Sequence, residues 1–162
     1  MKNGEIVRYI TQTGLFKPVN ASKIVREENS RWRTTTYNYL FVSTKSSKTC
    51  TQLKEIIRTL EKSPIVAYAS LSLCDTYQCL EFLSFPNYFY VVVKDPDDLV
   101  DLHAVVQETN TRIIGQYIWP EWFFVETNKK SKVNSLKMAN YFHETGKFTR
   151  AMPDFVQSRP WR

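Results

Sequence analysis

The stretch from Tyr88 to Phe155 constrains the fold more than any other part of the chain, because its chemistry alternates strand, helix, strand, strand, helix, strand. Tyr88 to Val93 is an unbroken run of aromatic and β-branched residues, which suits a strand with at least one buried face. Asp95-Pro96-Asp97-Asp98 reads as a helix opening: Asp95 as the cap, Pro96 at the first helical position, and Asp97 and Asp98 at the positive end of the dipole. Leu99, Leu102, Val105 and Val106 follow at helical spacing, so a helix is predicted near Pro96 to Thr109. Thr111 to Ile118 is extended, Trp119-Pro120-Glu121 turns a corner, and Trp122 to Glu126 is the third strand. Thr127 to Ser131 is polar and lysine-rich, hence a surface loop. Asn134 and Ser135 start a second helix, near Ser135 to Thr145, with Leu136, Ala139 and Phe142 on one face and Gly146 placed to end it in the left-handed conformation. Phe148 to Phe155 is the last strand, with Pro153 near its end, where a missing amide is tolerated.

This βαββαβ order predicts an α+β fold: a ferredoxin-like, four-stranded antiparallel sheet with both helices on one face. Leu99, Leu102, Val106, Leu136, Ala139 and Phe142 are expected to pack against Val91, Val93 and Phe124. Such sheets serve many unrelated functions, so the fold alone assigns none.

A smaller lobe precedes this unit. Glu5 to Ile10 and Lys23 to Glu28 read as two strands joined by a Gly14-containing loop, and Trp32 to Val42 is again strand-like. Leu53, Ile56, Ile57 and Leu60 mark an amphipathic helix closed by Ser63-Pro64. Ile65 to Leu73 reads as a strand, with Tyr77 to Phe82 as a hairpin partner. Ser84-Phe85-Pro86-Asn87 is the expected boundary, short and apolar, so the lobes are expected to pack together. The expected division is residues 1–86 as an N-terminal α+β lobe, 87–156 as the ferredoxin-like lobe, and 157–162 as a C-terminal tail. A chain of 162 residues, 43% hydrophobic and with only four glycines, is expected to bury a good core rather than stay disordered. No apolar run approaches a membrane span, and no charged-then-apolar signal segment opens the chain.

Familiar catalytic chemistry is missing. Subtilisin-type catalysis needs Asp, His and Ser segments in glycine-rich surroundings, and neither His-Gly-Thr, Gly-Thr-Ser nor the Gly-x-Ser-x-Gly elbow occurs. The two histidines, His103 and His143, each lie in a predicted helix without a nearby nucleophile motif, so the simpler reading is a surface or partly packed position. Cys50, Cys74 and Cys79 lack a zinc-site spacing, and no metal site or cofactor is expected. Cys74 and Cys79 suit either a disulfide across a hairpin or small apolar packing, and both readings stay open. Asp97-Asp98 fits helix capping and Glu27-Glu28 a solvated strand end, and nothing singles out either as an acid–base pair. The expectation is a non-enzyme.

The formal charge of +6 raises nucleic-acid binding, since sheets bearing Tyr88, Phe89, Tyr90, Trp122, Phe123 and Phe124 can stack bases. The RNA-recognition signature, basic-Gly-aromatic-small-aromatic, is absent and the cations are scattered, which suits a solvated surface. Exposure of those aromatics on the open sheet face discriminates the two readings.

Asn134, Leu136, Ala139, Asn140, Phe142, Glu144, Thr145, Gly146 and Phe148 form the pattern Asn-x-Leu-x-x-Ala-Asn-x-Phe-x-Glu-Thr-Gly-x-Phe, which closes on Ala151-x-Pro153-Asp154-Phe155. With the Ile-Gly strand and the Pro-Glu-Trp-Phe strand before it, this resembles the propeptide of subtilisin-like serine peptidases of the Bacteroidetes type. The match covers a little under half the chain. Lys147 stands where an apolar residue is usual, and Met152 where Glu is common.

The resemblance implies a secreted or periplasmic, non-catalytic domain that helps a subtilisin-like protease to fold and inhibits it. The open sheet face would dock on the catalytic domain, and the chain leaving the last strand would enter the active-site cleft like a product. Carried to this sequence, Asp154, Phe155, Val156, Gln157 and Ser158 are the expected protease-binding tail; a frayed C-terminus is the competing reading. The chain stops where a catalytic domain would begin, as expected of a fragment, a truncated gene or a stand-alone inhibitor alike. The alternative is a ferredoxin-like interaction or regulatory domain with no protease partner. Neither nucleic acid nor membrane is an expected partner.

Overall fold

The computed structural model describes residues 9–10, 12–13, 15–16, 24–27, 37–74 and 82–158, except 98 and 132. In chain order the elements are β1 (Ile24–Glu27), β2 (Tyr37–Leu40), α1 (Cys50–Lys62), β3 (Ser72–Cys74), β4 (Phe82–Ser84) and β5 (Tyr88–Val92). Then follow α2 (Val100–Thr109), β6 (Arg112–Gln116), β7 (Trp122–Glu126), α3 (Ser135–Glu144), β8 (Arg150–Pro153) and β9 (Val156–Ser158). The fold is α+β with antiparallel sheets, and the chain divides into two compact units, Met1–Ala69 and Ser70–Arg162.

In the first unit, α1 starts at a reciprocal cap. The Gln52 amide donates to Thr49 Oγ1 at 3.3 Å, and the Thr49 amide donates to Gln52 Oε1 at 2.9 Å. The helix ends at Ser63, whose amide donates to Leu60 O, and Pro64 blocks its continuation. Leu60 is buried with Ile10, Phe16 and Val66, and Ile56, Ile65 and Ala69 pack around them. Ile65 to Ala69 are therefore not the expected strand: the segment opens in a turn and places Val66 in the core, with Ile65 and Ala69 partly buried around it. The Val66 amide closes that turn on Ser63 O, and only Ser72–Cys74 of the segment joins a sheet. Tyr9 and Ile10 are helical rather than extended, with the Thr13 amide donating to Tyr9 O. β1 pairs antiparallel with β2, and Glu5 to Arg8 of the other expected strand lie outside the described residues. Most of the expected hairpin strand Tyr77–Phe82, and Cys79 with it, lies outside the described residues.

The second unit carries two sheets, ordered β3-β4-β9 and β6-β7-β5-β8. The boundary between units falls before the expected Ser84–Asn87 stretch, because β4 pairs with β9 at the far end of the chain: Phe82, Leu83 and Ser84 stand opposite Ser158, Gln157 and Val156.

Alternation along β5 and β7 splits the larger sheet into two faces. Phe89, Val91, Val93, Phe123 and Val125 point to the side where α2 and α3 pack, and there Leu102, Val105, Met138, Ala139 and Phe142 complete one core. Both helices thus draw on a single cluster, in which each fully buried side chain contributes about 1.5–3 kcal/mol. Leu99 and Val106 are only partly buried, and Leu136 is intermediate. Phe124 lies on the other face; Phe123 takes the core position expected of it.

The helix ends follow local chemistry. α2 starts at Val100 rather than Pro96, because Asp95 Oδ1 accepts the Asp97 amide at 2.9 Å and closes a turn there instead of capping the helix. It stops at Asn110, left-handed at φ 53°, whose carbonyl accepts from Asn128 Nδ2 at 2.7 Å and Ser131 Oγ at 2.9 Å. Asn134 caps α3 through the Lys137 amide at 3.0 Å. Gly146, at φ 68°, turns the chain out of it as expected. Lys147, just past Gly146, reaches Asp101 at 3.0 Å and ties the segment after α3 to α2 by an exposed ion pair. Thr127, expected in a surface loop, is buried: its amide and hydroxyl both donate to Asn87 O.

Candidate functional site

The face of the larger sheet away from α2 and α3 is aromatic. In register across it stand Tyr88 opposite Glu126, Tyr90 opposite Phe124 and Met152, and Val92 opposite Trp122 and Arg150. Tyr88 and Phe124 are nonetheless buried, so of the six expected sheet aromatics only Tyr90 and Trp122 keep accessible area on this face.

A bulge supplies what strand parity would deny. Ile113 stands opposite Val125 on the helix side, but the register shifts, and Gly115 stands opposite Phe124 on the open side. The inserted residue reverses the facing of everything beyond it. Tyr117 therefore joins the open face, with its amide donating to Trp122 O at 2.8 Å. The expected corner follows: the Trp122 amide donates to Trp119 O at 3.0 Å, Gln116 Nε2 donates to Pro120 O, and the Val93 amide donates to Glu121 O at 2.9 Å. These bonds fix the corner against β5.

The result is an open pocket of about 200 Å³ lined by Tyr90, Tyr117, Trp119 and Trp122. Ring centroids are 5.2 Å apart for Tyr117–Trp119, 5.7 Å for Trp119–Trp122 and 6.1 Å for Tyr90–Trp122. Their planes meet at 47°, 51° and 69°, so the rings form a bowl rather than a flat platform. Trp119, at its mouth, is 51% exposed. The buried Phe124 ring lies 4.9 Å from the Tyr90 ring and 5.9 Å from that of Tyr117. Sequence reading found the corner but not the pocket; its signal is the aromatic spacing Tyr117, Trp119, Trp122 around Pro120.

The expected tail residues fall in two places. Tyr90 donates its hydroxyl to Asp154 Oδ2 at 3.2 Å, and the Phe155 amide donates to Asp154 Oδ1 at 2.9 Å. Phe155 is 52% exposed, with its ring 5.4 Å from Phe85. Val156, Gln157 and Ser158 form β9, held extended by β4 at one end of the smaller sheet. The tail is thus ordered from Asp154 to Ser158 and leaves the larger sheet beside Tyr90.

A second polar cluster sits at the far end of the open face. The buried Glu126 carboxylate accepts from Arg112 Nη2, from Arg112 Nε at 3.2 Å, and from Asn87 Nδ2 at 2.9 Å. It pins β5, β6 and β7 together. His103 and His143 are exposed on α2 and α3, and Cys50 is an exposed free thiol at the start of α1. Among the described residues no group of three His, Cys, Asp or Glu side chains is placed to hold a metal ion, and no helix is long and apolar enough to cross a membrane.

No family model matches the chain, and comparison with curated proteins and with solved structures likewise finds no match.

Proposed function

We propose that this chain is a non-catalytic, propeptide-like domain with a ferredoxin-like second unit, which binds the catalytic domain of a subtilisin-like serine protease, assists its folding and inhibits it. The observation that carries the reading is the two-sided sheet: helices on one face, and on the other an accessible aromatic surface of Tyr90, Tyr117, Trp119 and Trp122. Support for the ferredoxin-like arrangement comes from the strand order β6-β7-β5-β8, all antiparallel, with α2 and α3 in one core. Met152, in register with Tyr90, replaces a residue that is commonly acidic in the family and extends the apolar character of the docking face.

The tail has its own support. A chain held extended before binding loses less conformational entropy on entering a cleft. β4 holds Val156 to Ser158 extended, and among the described strands nothing pairs with the other edge of β9. In this reading Asp154 and Phe155 set the exit direction, and Val156, Gln157 and Ser158 are the segment offered to the protease. A secreted or periplasmic setting belongs to the same proposal.

Chaperone action follows from linkage, because a ligand of the native protease alone stabilises the native state by mass action. The test is refolding of denatured subtilisin-like catalytic domains from the source organism. The expected result is that equimolar chain raises the yield of native protease. No change in yield against a serum albumin control contradicts the chaperone part of the proposal.

A further inference from the structure

We infer that the bowl of Tyr90, Tyr117, Trp119 and Trp122 is a site for an organic cation, an alkylammonium or guanidinium group. Four aromatic rings line it, and none of the lining side chains carries a charge. Aromatic faces are negative, and a cation within about 6 Å of a ring centroid is attracted to them. With neighbouring centroids 5.2–6.1 Å apart, a cation seated among the rings touches more than one at once.

A second observation sets the sign of the ligand. Tyr90 donates its hydroxyl to the Asp154 carboxylate at 3.2 Å. A phenol bonded to a carboxylate gains electron density, and its ring attracts a cation more strongly. The carboxylate itself lies one hydrogen bond from the lining. An anion would have the Asp154 carboxylate one hydrogen bond behind the Tyr90 ring. A neutral apolar group would find the rings but gain nothing from Asp154. The pocket volume of about 200 Å³ admits a trimethylammonium head or the end of a lysine or arginine side chain.

The inference does not rest on the protease reading, since free cations probe the pocket alone. The full chain is titrated at constant ionic strength with choline, with its neutral isostere bearing carbon in place of nitrogen, with capped lysine and arginine amides, and with glucose. Binding is read from the indole resonances of Trp119 and Trp122 and from tryptophan fluorescence. Choline, lysine or arginine is expected to bind in the millimolar range, with the isostere and glucose at least about fivefold weaker. Choline binding tighter than both amides assigns a small-molecule cation. A tighter amide assigns a side chain of a partner protein. Trp119→Leu, at an exposed position, is expected to weaken the cation about threefold. Trp122→Leu is expected to weaken it more, and circular dichroism verifies that each variant is folded. Equal binding of choline and its isostere, no shift of either indole with any cation, or full cation binding in folded Trp119→Leu each overturns the inference.

Discussion

Tyr90 and Asp154 are joined by a 3.2 Å hydrogen bond that ties the centre of the open sheet face to the point where the chain leaves β8 for β9. This bond links the aromatic pocket to the root of the expected tail.

Tyr90→Phe keeps the ring and removes that bond. The expected loss of stability is about 0.5–1.5 kcal/mol, read as a lower urea midpoint at unchanged slope. Asp154→Asn retains an acceptor and is expected to lose less.

Arg112→Ala leaves the buried Glu126 carboxylate with Asn87 as its remaining side-chain donor among the bonds described above. Because the Arg112 side chain is itself 69% exposed, the expected cost is modest, about 1 kcal/mol. Asn87→Ala removes the donor at 2.9 Å on the other carboxylate oxygen and should cost a similar amount in thermal unfolding.

Phe142 is fully buried between the rings of Phe89 at 5.0 Å and Phe148 at 5.4 Å. Phe142→Ala is expected to destabilise the second unit by about 3–5 kcal/mol in denaturant unfolding. Tyr141→Ala, one position along, removes a partly buried ring and a hydroxyl bonded to Glu108, and is expected to cost less.

Gly146 has no atom within 4 Å of where a Cβ would stand, yet its φ is 68°. Any cost of Gly146→Ala is therefore that of the left-handed backbone conformation, about 1 kcal/mol, with no clash against other parts of the structure. Asn in its place should recover part of the loss, since Asn tolerates the left-handed region.

Most of the second unit was legible in its residues, because the apolar spacing of Leu102 and Val105, the Asn134 cap and the Gly146 stop are local signals. What sequence could not show was parity. Tyr88 to Val93 is apolar on both faces, so alternation could not say that Phe123 rather than Phe124 faces the helices. The bulge after Ile113 leaves no mark beyond Gly115, and it alone puts Tyr117 on the open face. The start of α2 was misplaced because Asp95 serves a turn as readily as a helix. In the first unit, Ile65 to Ala69 carries strand-like chemistry, but Val66 is drawn into the core beside Leu60, with Ile65 and Ala69 packed around it. Pairing of β9 with β4 joins residues too far apart in sequence for any local pattern to signal.

Docking through the open face is the central claim, and Trp119→Glu tests it most directly. Trp119 is 51% exposed, so a charge there should leave folding intact while placing an unpaired carboxylate in the interface. The measurement is a titration of subtilisin-like catalytic domains from the source organism with intact chain and with Trp119→Glu, reading binding and inhibition together. The account predicts that intact chain binds and inhibits at micromolar concentration or below, and that Trp119→Glu binds at least about tenfold more weakly. If the intact chain neither binds nor inhibits, or if Trp119→Glu does both unchanged, the account is contradicted.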